Sequence, residues 1–439
     1  MFKNKKFVAK SMPILILGLF YMFFYSGLQN DHINVITPYL MKAGWTAEAI
    51  NNPITVAGYV VIIFYLACGA GMIKFGPVKF MVPSSIILGL ATAGVGLSES
   101  LNSYALYAVC LFLVRLLVVP LQMGGFMLCA NWFIKYRGRA LGWVTIGSPL
   151  FSICGIAIFT AMTNAFNLQF TYIGVGAVVL VIAILTLVLV KDKPEDVGLY
   201  PDGSLTPTHD QDDSESITLK QLVSESRAWK LIISYGILQF VIVGMMAFMI
   251  VRYTFIFGEE GLGPVFLWLA IGAGIGIPMS YVLGWIDDKL GSIKASLILN
   301  ILYFIAVIPL AVMNPDSPVA LIGVWAFGVA CMTGGMPTMH PAVTSYVYGR
   351  KKYQSANKWI MTIQAVIMAF AIPYMVHFVG AAVAAGAAAG GPPDYTKMTP
   401  AYIGMIIMLV ISLITILTMF KIPDANLADR EYGQEEENA

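Results

Sequence analysis

Long apolar runs alternate with short polar breaks from one end of the chain to the other. Twelve runs stand out, at about residues 12–40, 52–72, 80–98, 103–131, 141–163, 170–190, 229–256, 265–285, 295–313, 318–341, 358–381 and 401–420. An α-helix rises 1.5 Å per residue, so about 20 apolar residues cross a hydrocarbon core of ~30 Å. Lipid offers no hydrogen bonds to the backbone, so each run must satisfy its own as a helix. The pattern predicts an all-α membrane protein with twelve transmembrane helices. The first run is long and lacks a small-residue cleavage site, so it reads as a span and not as a removed signal.

The breaks are unequal. Residues 191–227, beginning "KDKPEDVGLYPDGSLTPTHDQDDSESITLK", are polar and acidic and carry no apolar period. They divide the chain into a first six-helix bundle (1–190), a linker (191–227), a second six-helix bundle (228–421) and an acidic tail (422–439). Composition agrees: 58% of residues are hydrophobic and 11% charged, against about 25% charged in a soluble domain. All but four of the 26 Lys and Arg fall in the termini, the linker or breaks on the same side. Lys42 and Lys397 lie on the other side; Arg115 and Arg252 lie inside spans. By the positive-inside rule both termini are expected in the cytoplasm. With short loops and no targeting peptide, a multi-pass protein of a cell inner membrane is expected. The net charge of +2 is a topology signal and gives no reason to expect nucleic acid as a partner.

Catalysis and cofactors find no support. The five cysteines (Cys68, Cys110, Cys129, Cys154, Cys331) lie in apolar runs without CxxC spacing and read as small core residues. No metal-ligand spacing, Walker loop or nucleophile elbow is present. The chain is therefore expected to be no enzyme, to need no cofactor, and not to be an ATP-driven pump.

The halves repeat weakly. Shifted by 215 residues, "GAGMIKFGPVK" (Gly69 to Lys79) aligns with "GWIDDKLGSIK" (Gly284 to Lys294). Gly69, Lys74, Gly76 and Lys79 meet Gly284, Lys289, Gly291 and Lys294. This G-x-x-x-D-[RK]-x-G-x-[RK] pattern between the second and third spans of each half resembles the signature of the major facilitator superfamily. The resemblance implies a gating latch at Gly284, Asp288, Lys289 and Gly291. The first copy departs from it, with Ile73 where the acid belongs. "NWFIKYRGRALG" (Asn131 to Gly142), "SGLQ…P…GW" (Ser26 to Trp45), "GGMPTMHPAVTSYVYG" (Gly334 to Gly349) and "KPEDVGLYPDG" resemble segments of the monocarboxylate and oxalate:formate antiporter branch. That branch implies secondary transport of small organic anions. The positions at which the oxalate carrier holds its dicarboxylate with cations are Ser280 and Gln364 here, so its cage is not carried over.

Polar residues inside the spans are the candidates for chemistry, because burying them in lipid is costly. Tyr21, Tyr25, Gln29 and His32 are spaced four, four and three apart and would share one helical face lining a water-filled cavity. An outer loop starting after Gln29 is the competing reading. Asp31, an acid inside a span, and His32, which titrates near neutrality, are candidates for proton coupling; a structural pairing of Asp31 competes. Arg115 is read as a carboxylate clamp, since a guanidinium grips a carboxylate with two parallel hydrogen bonds, or as a tie to backbone carbonyls. Arg252, opposite His32 in a 220-residue register, is read as an anion-binding charge, or as a residue reaching to the outer interface. Ser280, Gln364 and His340 complete the expected substrate contacts. The expected partners are a small-molecule substrate, protons or a counter-anion, and the lipid bilayer. One chain holds a whole pathway, so a monomer is expected. A proton-coupled exporter of amines or neutral solutes is the alternative.

Overall fold

The computed structural model describes residues 5–45, 47–204, 216–258 and 260–425. Among them all regular structure is helical. The first span is α1 (Lys5–Ser26), a π-helical turn (Gly27–Asp31) and α2 (Ile33–Lys42). Then come α3 (Ala47–Phe75), α4 (Pro77–Ser100) and α5 (Tyr104–Trp132). The fifth span is broken into α6 (Arg137–Thr145), α7 (Gly147–Leu150), a second π-helical turn (Phe151–Gly155) and α8 (Ile156–Ala165). After α9 (Leu168–Leu189) the linker carries α10 (Leu219–Ser224). The second half is α11 (Ser226–Phe257), α12 (Gly263–Leu290), α13 (Ser292–Val312), α14 (Val319–Ala369), α15 (Ala371–Ala388) and α16 (Thr399–Met419). α14 is two spans in one element, interrupted at Gly349, where φ is 67°.

Eleven helices among the described residues are long and apolar enough to cross a membrane. The fifth span completes the twelve in pieces. Its breaks come from packing: a Cβ on Gly147 would sit 2.2 Å from the Leu19 carbonyl of α1, and one on Gly27 2.1 Å from the Phe151 ring. The two π-helical turns therefore meet where spans one and five press together.

Each half is held by close backbone approach, the usual way helices associate where lipid removes the hydrophobic drive. In the first half Gly89 of α4 and Gly176 of α9 face each other, and a Cβ on either would come within 2.8 Å of the other's carbonyl. In the second half Gly328 of α14 lies against Ala306 of α13. The halves meet along α6 and α12. Gly138 and Gly142 pack on Gly284 and Ser280, at matching four-residue intervals, with added Cβ atoms 2.1–2.6 Å from the opposing carbonyls. Thr145 and Thr338 share a 2.6 Å hydrogen bond, and Arg137 Nη1 donates to Ser345 Oγ at 2.8 Å across the same seam. All of these lie toward the face rich in Lys and Arg, here termed the basic face.

The linker is not irregular throughout. Its first part is fastened to the first half: Trp132 and Asn131 donate to the carbonyls of Lys191 and Asp192, both at 3.0 Å. Asp192 Oδ1 accepts the Val78 N–H at 2.7 Å, capping α4. Asp202, in a left-handed conformation (φ 57°), accepts the N–H groups of Ile134 and Lys135 at 2.9 and 2.7 Å. Its last part is fastened to the second half, where Ile217 N–H donates to Ser355 at 2.9 Å and Thr218 and Gln221 form a capping box on α10. The stretch 205–215 and the tail beyond 425 lie outside the described residues.

Candidate functional site

Midway along the first-half spans, side chains that lipid would reject gather in one place. Arg115 and Gln122 stand seven residues apart on α5, two turns on one face. Tyr65 of α3 donates to Gln122 Oε1 at 3.5 Å. The Tyr25 hydroxyl interacts with the side chains of Gln29, Tyr65 and Gln122, and Tyr25 and Tyr65 both lie within electrostatic reach of the Arg115 guanidinium. Tyr25, Gln29, Arg115 and Gln122 are half-buried, while Tyr65 is 8% exposed. Partly accessible polar groups at mid-helix are suited to a water-filled space between helices and not to lipid.

The expected single stripe of Tyr21, Tyr25, Gln29 and His32 is split. The π-helical turn hydrogen-bonds His32 N–H to the Gly27 carbonyl (3.0 Å), five residues back. That wider turn rotates the residues beyond it relative to α1. Tyr25 and Gln29 face α3 and α5. Tyr21 instead bonds Thr186 of α9 (2.8 Å), and His32 is 1% exposed with Nδ1 2.8 Å from the Tyr172 hydroxyl of α9. His32 is thus packed inside the first bundle. The side chain of Asp31 lies outside the described residues.

The second-half candidates are not brought to this cluster. Arg252 is fully buried. Its guanidinium donates to the carbonyls of Leu310 (3.3 Å) and Tyr395 and to Thr399 Oγ1 (3.0 Å), and lies over the rings of Tyr395 and Tyr402. It joins α11 to α13 and to the turn entering α16. Ser280 is fully buried on the seam, with its hydroxyl returned to the Gly276 carbonyl. Gln364 is fully buried, donates to the Leu231 carbonyl (3.2 Å) and accepts from His340 Nε2 (2.7 Å). His340 also packs edge-on against Tyr235. Gln364 and His340 tie second-half helices together, and Ser280 lies in the packed seam between the halves.

On the seam Asp288 faces the N-terminus of α6. Its Oδ1 accepts the Gly138 N–H at 2.8 Å; its Oδ2 accepts the Arg139 N–H at 3.1 Å and Arg139 Nε at 2.8 Å, with 3% of its side chain exposed. A helix N-terminus favours an anion through its unpaired N–H groups and its dipole. Gly284 supplies the close approach, and Gly291 (φ 85°) turns the chain from α12 into α13. Lys289 points away, over the Trp285 ring. In the first copy, where Ile73 replaces the acid, the turn at Gly76 (φ 89°) is filled by Asp192 from the linker.

Sequence reasoning passed over Tyr65, Gln122, Asp287, Arg137 and Ser345. Gln122 had a signal, since it repeats Arg115 two turns on. Asp287 is buried beside Asp288, with Oδ2 2.6 Å from where a Cβ on Gly138 would lie. Tyr65 carries no mark in its apolar run.

The comparisons agree on the fold. No curated protein sequence matches the chain. Among solved structures it is similar to the E. coli fucose:proton symporter FucP (13% identity, 93% of this chain and 99% of that chain, TM-score 0.65). FucP in the outward conformation gives 13% identity, 91% and 98% coverage and a TM-score of 0.63. The proton:xylose symporter XylE, bound to 6-bromo-6-deoxy-D-glucose, gives 12% identity, 95% and 96% coverage and a TM-score of 0.69. The family model of the Major Facilitator Superfamily matches residues 15–373. With two six-helix bundles, a glycine-lined seam and a family match over most of its length, this chain belongs to the Major Facilitator Superfamily of membrane transporters.

Proposed function

We propose that this transporter carries a small organic acid, a monocarboxylate-like anion, by alternating access of two rocking bundles, coupled to protons or to exchange for a counter-anion. The observation that carries this reading is the placing of Arg115. It is one of two cations set inside the spans by the sequence, and it stands half-buried among Tyr25, Gln29, Tyr65 and Gln122. The other, Arg252, is enclosed by carbonyls, a hydroxyl and aromatic rings. A guanidinium in a poorly solvated site gains most by meeting an anion. The proton symporters of like fold support the proton-linked form.

The basic face is assigned to the cytoplasm, with both termini there and the chain multi-pass in a cell inner membrane. Residues 1–190 and 228–421 act as the two rocking units, and one chain suffices as a monomer. The Asp288 contacts with α6 hold the cytoplasmic side closed. Asp31 remains the candidate proton site.

The test is thermal stabilisation of the purified carrier by carboxylates, amines and neutral solutes at two pH values; a ligand that binds only the folded state raises apparent stability. A shift by carboxylates that Arg115→Gln removes is expected. A shift by amines alone would overturn the proposal and favour the exporter reading.

A further inference from the structure

We infer that Asp202 of the linker is a positioning residue for the cytoplasmic latch: it holds the start of α6 where Asp288 can bind it. This rests on the reading of the Asp288 contacts as what keeps the cytoplasmic side closed, and deepens it. The first N–H groups of a helix have no partner within it, and α6 does not cap its own. Its N-cap is Tyr136, whose side chain makes no capping hydrogen bond. The carboxylate of Asp288, from the other half, takes the N–H groups of Gly138 and Arg139 instead, at 2.8 and 3.1 Å.

Just upstream, a second carboxylate holds the same stretch from within the first half. Asp202 Oδ2 accepts the N–H groups of Ile134 and Lys135 at 2.9 and 2.7 Å, in the turn that leads from α5 into α6. The linker sequence builds this contact. In "PDGS", Pro201 to Ser204, Asp202 and Gly203 both have positive φ (57° and 77°), and Ser204 N–H donates to the Pro201 carbonyl at 3.2 Å. A tight turn of that hand favours Asp-Gly at its centre. Only Tyr136 and Arg137 separate the N–H groups held by Asp202 from those held by Asp288.

The latch leaves little room for misplacement. A Cβ on Gly138 would lie 2.3 Å from the Gly284 carbonyl oxygen, 2.6 Å from Asp287 Oδ2 and 2.8 Å from Asp288 Oδ1. Hydrogen bonds weaken steeply as they bend or lengthen. A small shift of the first turn of α6 therefore either gives up the Asp288 bonds or drives Gly138 into α12. Asp202 and the α5–α6 turn move with the same half, so their bonds need not break when the seam opens. The seat for Asp288 then stays formed for the next closure.

The experiment uses the purified full-length carrier with its exposed cysteine removed by Cys154→Ser. Thr338→Cys reports on the seam, because Thr338 is fully buried against Thr145 while the seam is closed. The rate of labelling by a polar maleimide measures opening. Asp202→Gly removes the acceptor but suits the positive φ of the turn. It should speed labelling about fivefold, the scale of one net hydrogen bond. Asp202→Asn, which keeps an acceptor oxygen and tolerates a left-handed φ, should restore the slow rate. Asp192→Ala, which unfastens the linker at α4 instead, should leave the rate unchanged. In an Asp288→Ala background, itself faster, Asp202→Gly should add nothing, because a residue that acts through another is non-additive with it. An unchanged rate in Asp202→Gly, no rescue by Asn, equal acceleration by Asp192→Ala, or full acceleration without Asp288 would overturn the inference and leave the latch standing. No acceleration in Asp288→Ala would overturn both. Asp202→Ala gives the same comparison if the glycine variant folds poorly.

Discussion

The two halves each hold an arginine inside a span, and the two arginines lead different lives. Arg115 is half-buried beside two phenols and two carboxamides, of which Tyr65 and Gln122 are 3.5 Å apart. Arg252 is fully buried, with each arm of its guanidinium committed to oxygen and with aromatic faces on it. The lesson is that an intramembrane charge is read through its surroundings: Arg115 stands at a partly accessible place among polar side chains, Arg252 at an enclosed one. A charge whose partners are all supplied by its own bundle is a fastening.

The largest effect that would sharpen this contrast is the loss of uptake in Arg115→Gln. Anion transport should fall at least about 100-fold, the scale of a charge-assisted bidentate contact, while yield and melting temperature hold. Uptake that survives would break the comparison. Next comes Arg252→Gln, which orphans buried carbonyls at roughly 1–3 kcal/mol each. Melting temperature and folded yield should drop, and anion affinity in the surviving protein should stay within twofold. A tenfold loss of affinity at unchanged stability would place Arg252 in the site after all.

A smaller contrast separates the repeated turns. Gly76 and Gly291 share a positive φ, but a Cβ on Gly76 would lie 2.2 Å from Asp192 Oδ2, whereas nothing lies within 4 Å of one on Gly291. Both Ala substitutions incur the left-handed strain of about 1–2 kcal/mol. Gly76→Ala should also expel Asp192, so thermal melts should rank it as the more damaging; equal losses would mean the linker contact contributes nothing. The smallest effect lies at the linker's far end. The Arg227 hydrogen bond holds the Glu225 carboxyl below its ordinary value. Its contribution is therefore present above the ordinary Glu pKa and lost as pH falls through the lowered one. For a half-exposed pair it is worth under ~1 kcal/mol. Burial instead raises the Asp192 carboxyl, so acid favours the docked end on the first half. Hydrogen exchange at the two ends should respond to acidification in opposite directions.

Twelve spans, their division into two halves and the glycine turns at 76 and 291 were legible in the sequence, because apolar length and left-handed glycines are local properties. Arg115, Tyr25 and Gln29 were legible as misfits in lipid. The position of His32 was not: a single π-helical turn undoes an argument from helical periodicity, and nothing in "GLQND" announces one. Ser280, Gln364 and Arg252 carry the right chemistry for a pocket, but whether a polar group faces a ligand or a neighbouring helix depends on tertiary partners. The docked linker was missed because its ties join single polar side chains to backbone N–H and carbonyl groups, which leave no hydrophobic period.

Those ties have a mechanical consequence. With Lys191 to Ser204 anchored on one bundle and Ile217 to Ser224 on the other, each bundle carries its own end of the linker with it when it moves. A dozen residues of any conformation span at most about 40 Å, so the count of residues between the anchors sets an upper limit on how far the two anchored ends can part. The fastening of each linker end is internal to one bundle, so neither set of hydrogen bonds has to break when the bundles move against each other.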